Sequence, residues 1–479
     1  MKEEYKSLCE RIEALSGYGK CFDVNKKELY TCKRRGSLYF ISSLSDGLLL
    51  NRVVELLLLS DGEYGTMSEL ASHSVALSGC AFFNSDNIDE AVRFMLSGTS
   101  LLIIEGYDEI AVLETRALPG RSVAEPESDH VLKGPHDGFC ESLNINVGLL
   151  RRRIRSADFR IDRYPVGRES KTDVALCYME GKVDKKFLRK LTENIKSIDV
   201  EAISLGQQSI AECLIKHRWY NIFPKFRYTE RPDAASAMIM EGSIILLCDT
   251  TPQAMILPTA IFDFLQESDD FYFPPLIGTY LRAVRITVFM ATLFFTPIWY
   301  FMNLNPQLVP EALLFMVNGN RGGIPLIWQL LLVEFMIDAL KLASLNTPST
   351  LGNSLSVVAG LIIGDFAVET GWLSSDVILY MAFVAMANFA QPSFELGYAF
   401  KFARIALIIL VELFGIAGLI IGAILLVLAV ALNKTVDGSR SYLYPLVPFN
   451  KNAMIRQIFR VKLSAKRKKA PSEREKDEK

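Results

Sequence analysis

Apolar and polar positions follow two different patterns along this chain. Up to about residue 285, short apolar runs alternate with charged stretches, as in a folded water-facing domain. From 286 to 432, Leu, Ile, Val, Phe, Ala and Gly dominate. The water-facing half predicts the same order of elements twice. The β-rich run 37–41 is followed by Asp46 and an apolar run at 48–59. The run 173–178 is followed by Asp184 and an apolar pattern at 187–195. An acidic residue directly before a helical pattern is an N-cap signal, so each copy reads as strand, cap and helix. Further on, 89–98 and 233–242 each read as a short helix stopped by Gly98 or Gly242. The buried strands 99–104 and 243–248 follow, then second strands at 109–114 and 253–258. Two related α/β subdomains are therefore expected. Generic strand–helix patterning is the alternative.

In the apolar half the candidate spans are 286–302, 324–342, 355–372, 377–390 and 405–432, since a spanning helix needs about 20 mainly apolar residues. Trp299 and Tyr300 read as interfacial anchors. The last run is long enough to tilt, to bend at Gly415, Gly418 or Gly422, or to cross twice as a hairpin. The fold class expected is thus an α/β soluble N-terminal half of two related subdomains plus an all-α polytopic membrane domain of about four to five helices. The expected boundaries are 1–120 and 149–280 for the subdomains, with 121–148 a linker or binding loop. The membrane domain covers 281–445, and 446–479 is a charged tail.

Charge adds orientation. Arg282 and Arg285 precede the first span, Lys401 and Arg404 precede the last, and Lys466, Arg467, Lys468 and Lys469 lie in the tail. The positive-inside rule places all of them in the cytoplasm, with the N-terminal half and the tail. Five full crossings would put the tail outside, so either one run fails to span or the last run crosses twice.

Composition narrows the chemistry. The net charge of −2 lacks the basic excess of a nucleic-acid binder. No hydrophobic leader opens the chain, because 1–16 is charged. The eight Cys form no Cys-x-x-Cys pair and read as reduced, intracellular residues. The four His sit in unrelated contexts. Neither a phosphate-binding glycine loop nor a Gly-x-Ser-x-Gly turn is present, so no enzyme, cofactor or metal is expected. The basic cluster 151–155 reads as a solvated helix face, or as a contact for anionic lipid or an acidic partner.

The apolar half carries the candidate site. Glu334, Asp338 and Lys341 fall at i, i+4 and i+7, on one helix face. Asp365 and Glu369 repeat the i, i+4 spacing, and Glu412 lies in the last run. Ionisable residues at membrane depth face a bundle interior, a water-filled path or a counter-charge. The five residues Glu334, Asp338, Lys341, Asp365 and Glu369 are therefore a candidate ion path or inter-subunit polar seam. The alternative is an Asp338–Lys341 pair with acids near membrane ends. Gly-x-x-x-Gly pairs at 360/364 and 418/422 suit close helix packing.

The order of segments resembles the GerA family of spore germination A subunits, over about 22–460. The residues carrying it are KGPHDGFCE at 133–141, Asn146 with RRRI at 151–154, Phe223 and Pro224, and TERPD at 229–233. Glu241 and Gly242, DTTP at 249–252, LRAVR at 281–285, Ile324 and Pro325, and YLYPLVP at 442–448 continue it. Receptor A subunits carry Arg-Leu-Pro where this chain reads NTP at 346–348. That triplet, TPIW at 296–299, QPSFE at 391–395 and Lys401 fit another branch, whose acidic pair runs Asp then Glu rather than Glu334 then Asp338. The resemblance implies a multi-pass inner spore membrane protein acting in germination, an oligomeric cation-conducting channel component with a soluble sensing or relay domain. A non-conducting scaffold or signalling subunit is the alternative. It implies membrane lipid, further copies of the chain and permease-like or small membrane subunits as partners.

Overall fold

A computed structural model describes residues 2–74, 77, 80–118, 133–215, 221–267, 269–317, 323–346, 366–436, 438–439 and 441–460. The chain divides into two compact units. The first is Met1–His217 with Phe226–Thr259, and the second is Arg218–Lys225 with Ala260–Lys479. The division falls at Thr259, about twenty residues before the expected boundary at 280, because the segment after Thr259 packs with the apolar helices.

The first unit runs through the same order of elements twice. The first pass is α1 (Lys2–Ser16), β1 (Val24–Thr31), β2 (Arg34–Ile41), α2 (Gly47–Leu58), α3 (Met67–His73), β3 (Ala81–Asn84), α4 (Ile88–Met95), β4 (Ser100–Ile104) and β5 (Glu109–Leu113). The second is α5 (Leu143–Arg153), β6 (Phe159–Val166), β7 (Thr172–Met179), α6 (Lys185–Lys196), α7 (Gln207–Leu214), β8 (Arg227–Thr229), α8 (Pro232–Glu241), β9 (Ile244–Cys248) and β10 (Ala254–Leu257). The sheet orders are β1-β2-β4-β5-β3 and β6-β7-β9-β10-β8, the same order strand for strand, and every pairing is antiparallel.

Local chemistry explains the parallel. Asp46 accepts hydrogen bonds from the backbone N–H groups of Leu48 and Leu49, and Asp184 from those of Lys186 and Phe187. Each aspartate thereby satisfies two of the donors a helix start leaves unpaired. Gly98 and Gly242 take φ of +107° and +106° just past α4 and α8, a conformation that stops a helix and that Gly adopts without a Cβ clash. β4 and β9 are buried from end to end because helices cover both sheet faces. Leu101 and Ile103 face the core under α1 and α4, whereas Leu102 and Ile104 face that under α2 and α3.

The two passes are joined by a buried ion pair. Arg151 of α5 donates from Nε and Nη2 to Asp23, at 3.1 and 2.9 Å, and from Nη1 to the Phe159 carbonyl at 3.2 Å. Asp23 and Arg151 are almost wholly inaccessible. Arg153 pairs with Asp137. The cluster 151–155 is thus not a uniform solvated face. α5 also begins at Leu143, inside the stretch expected to be linker, and 119–132 lie outside the described residues.

The second unit holds α9 (Asp269–Tyr272), α10 (Pro275–Leu304), α11 (Leu326–Asn346), α12 (Ala367–Glu369), α13 (Ser375–Phe389), α14 (Phe394–Ala431) and α15 (Lys451–Ile458). Among the described residues two helices, α10 and α14, are long and apolar enough to cross a membrane, not four to five. α11 carries three charges, and the 15 residues of α13 reach about 22 Å, short of a bilayer core of about 30 Å. Most of the candidate span 355–372, with Gly360 and Gly364, lies outside the described residues.

α14 is not one rod. Gly415 has φ 59° and ψ −135°, and the chain reverses there. A straight helix would hold Leu407 and Gly422 about 22 Å apart. Instead a Cβ on Gly422 would sit 2.5 Å from the Leu407 side chain, and one on Gly418 would collide with the Leu410 carbonyl oxygen. The 418/422 glycine pair lets one arm of this hairpin lie directly on the other.

Candidate functional site

Three helices of the second unit converge on a cluster of four charges. α10 and the first arm of α14 run in the same direction. The rings of Phe289 and Phe400 are 4.1 Å apart, Arg404 reaches Thr292, and Tyr300 donates to Glu412 at 2.5 Å. α11 runs opposite to that arm, so Glu334 and Asp338, one turn apart, meet Arg404 and Lys401 in reverse order.

Arg404 donates from Nε to Glu334 Oε1 at 2.7 Å and from Nη1 to the Thr292 carbonyl at 2.7 Å. Lys401 Nζ donates to the Glu334 carbonyl at 3.2 Å, lies 3.6 Å from Glu334 Oε2, and pairs closely with Asp338 Oδ2. Arg404 is wholly buried and Glu334 nearly so, but 30% of the Asp338 side chain is exposed. Two carboxylates and two bases sum to zero charge. That balance answers the cost of ions in a low-dielectric interior, since each alone costs about 2.5–3.5 kcal/mol at the centre of a spanning helix.

The bases Lys401 and Arg404 are partners that the sequence reading did not assign to these acids. The positive-inside rule places them as cytoplasmic flanking charges, which leaves Glu334 and Asp338 in surplus. Their i, i+3 spacing inside an otherwise apolar run is the available signal, and it matches the i, i+4 spacing of the acids. Lys341 lies one turn further on, its ammonium 5.6 Å from the centre of the Tyr398 ring. Glu369 is exposed on α12, beside Gly371, whose carbonyl accepts from the Gly323 N–H at 2.7 Å. That is the far end of α11, so Glu369 does not join the cluster. Asp365 lies outside the described residues.

A second ionic group sits at the start of α10. Arg282 and Arg285 contact the buried Asp270 at 3.2 and 2.8 Å, and Arg285 also pairs with Glu267 at 2.5 Å. Arg282 donates to the Gln457 carbonyl at 3.4 Å, and the Arg460 N–H donates to Thr279 at 3.2 Å. The chain after Asn450 is thereby fastened beside the first turns of α10. Among the described residues no three His, Cys, Asp or Glu side chains converge to hold a metal.

Known proteins bear on this arrangement. The family model "Bacillus/Clostridium GerA spore germination protein" matches residues 12–472. Stage V sporulation protein AF of Bacillus subtilis (strain 168) is 34% identical over 93% of this chain and 90% of its own. Spore germination proteins KA and A1 of the same organism are 29% and 27% identical, over 80% and 83% of this chain and 70% and 82% of theirs. The solved N-terminal domain of the A subunit of the Bacillus megaterium spore germinant receptor GerK3 covers 52% of this chain and 92% of that one, at 21% identity and a TM-score of 0.39. The extent of the family match, with a relative more than 30% identical along nearly the whole length, establishes that this chain belongs to the GerA family of spore germination proteins.

Proposed function

We propose that the chain is a multi-pass membrane subunit of the spore germination apparatus that relays a signal between its α/β half and a charge-locked helix bundle. The observation that carries this reading is the neutral cluster of Glu334, Asp338, Lys401 and Arg404 across α11 and α14, tied to α10 through the Thr292 carbonyl. Paired charges at depth fix helix register and position, and a relay needs helices that move as a body.

The direction of the helices supports a topology with an even number of passages. α10 leads away from the side where α15 is fastened, and α11 returns toward it. Phe366 and Gly371 lie back at the far end, beside the start of α11. α13, though shorter than the bilayer core, and the two arms of α14 complete the set. The N-terminal side of α10 and the tail then share one face, read here as the cytoplasmic or spore-core face of the inner spore membrane.

A second reading is cation conduction by an oligomer, alone or with a permease-like or small membrane partner. It is favoured by one observation: Asp338 is partly exposed and Glu369 is exposed, so both could face a path between copies. Reconstitution of the purified full chain into vesicles with an ion-flux readout separates the two. Flux that falls in Asp338→Asn or Glu369→Gln, with assembly intact, supports conduction. Absence of flux with a bundle that still forms supports the relay alone. A chain that alkaline carbonate strips from membranes refutes both.

A further inference from the structure

α15 and the turn before it present two apolar faces, and one of them is left exposed among the described residues. Met454, Gln457 and Ile458 face inward and line a pocket with Leu265, Arg282 and Ile286. On the outward side Ile455 and Phe459 are 41% and 53% exposed, and in the preceding turn Phe449 is 68% exposed. Water-exposed aromatic and branched side chains on a fastened helix call for an occupant.

Depth identifies it. The Arg460 N–H bonds to Thr279, and the inner face of α15 reaches Ile286, where the apolar stretch of α10 begins. Seven residues of helix rise about 10 Å. The headgroup layer is about 5–7 Å thick on each side of the hydrocarbon core. α15 therefore lies at headgroup level. Around it Leu276 and Tyr280 of α10 are 82% and 66% exposed, which continues the apolar surface of the spanning helix onto this segment. The chain directly beyond Arg460 carries Lys462, Lys466, Arg467, Lys468 and Lys469, a density of positive charge suited to anionic headgroups.

We propose that the segment 445–460 is an interfacial anchor that seats its outer face in an anionic lipid headgroup layer. The inference rests on the membrane-spanning reading above. The occupant is lipid rather than a second copy because the face is continuous with that of a spanning helix and is followed by a run of basic residues.

The test uses the full chain in vesicles of phosphatidylcholine with or without phosphatidylglycerol. Phe459→Trp and Phe449→Trp each add an emitter, and the wild-type signal is subtracted. The added tryptophan should be quenched several-fold more by lipid brominated high on the acyl chain than by aqueous acrylamide. Omitting phosphatidylglycerol should raise acrylamide access several-fold. Equal quenching in both lipids overturns the proposal, as does full access to acrylamide. Protection from both quenchers that disappears on dilution into excess lipid also overturns it and assigns the face to a second copy. Extraction of the whole chain by alkaline carbonate would instead defeat the membrane reading itself.

Discussion

Replacing Glu334 by Gln tests the charge cluster most directly. The amide keeps the volume and still accepts a hydrogen bond, but it removes one negative charge. Arg404, wholly buried, keeps only neutral acceptors, the amide oxygen and the Thr292 carbonyl, and two bases then face one acid. Two magnitudes compete. Interhelical hydrogen bonds in membranes are worth about 0.6 kcal/mol on average, because partly unfolded helices find other partners. An uncompensated Arg at the centre of a spanning helix costs about 2.5–3.5 kcal/mol. The charge term is larger, so Glu334→Gln should cost about 3 kcal/mol. Asp338→Asn should cost about 1 kcal/mol, as expected for a partly exposed pair. Its partner Lys401 keeps the Glu334 carboxylate at 3.6 Å. The double variant Glu334→Gln/Arg404→Gln restores neutrality and should recover most of the loss. The assay is SDS-induced unfolding of the full chain in mild detergent, followed by tryptophan fluorescence, to which the buried Trp299 contributes. Equal costs for Glu334→Gln and Asp338→Asn, or no recovery in the double variant, would refute the reasoning.

Other consequences can be measured separately. Arg151→Met should leave Asp23 buried and unpaired at a cost of about 3–5 kcal/mol, with faster amide exchange in both sheets; a change confined to one sheet would mean that the pair does not couple the two passes. Asp46→Ala and Asp184→Ala should each cost about 1 kcal/mol, seen as fraying of α2 and α6, and unequal effects would contradict the equivalence of the two caps. Nitroxides at the exposed positions Phe402 and Leu425 should lie well under the roughly 35 Å that a straight helix would set, and a measured separation near that value rules out the hairpin. Burial raises the Asp162 carboxyl above its ordinary 3.8, against the lowering effect of the Tyr178 hydroxyl. Its contribution is therefore fully present below that value and is lost as pH rises through the folded-state pKa, so Asp162→Asn should flatten the pH dependence of stability in that range.

The elements of the first unit were legible because their signals are local. An acidic N-cap, a terminating glycine and a five-residue apolar run each act within a few residues, so both copies of strand, cap and helix could be read from the letters, at Asp46 and Asp184, Gly98 and Gly242. The common strand order of the two sheets follows from that repeated order of elements. What the sequence could not determine was which distant groups meet. Arg151 stands in the sequence as one member of a basic surface run, yet the packing of α5 carries it to Asp23, 128 positions away. Lys401 and Arg404 look like flanking charges because hydropathy along the chain records depth and not direction. Only the antiparallel placement of α11 against α14 sets them opposite Glu334 and Asp338. The reversal at Gly415 had a sequence signal, but the choice among a tilted, bent or folded helix depends on whether the small faces of Gly418 and Gly422 find a partner. Long-range pairing of charges and helix faces is decided by the packing of the whole bundle, where each group takes the partner that costs least to bury with it.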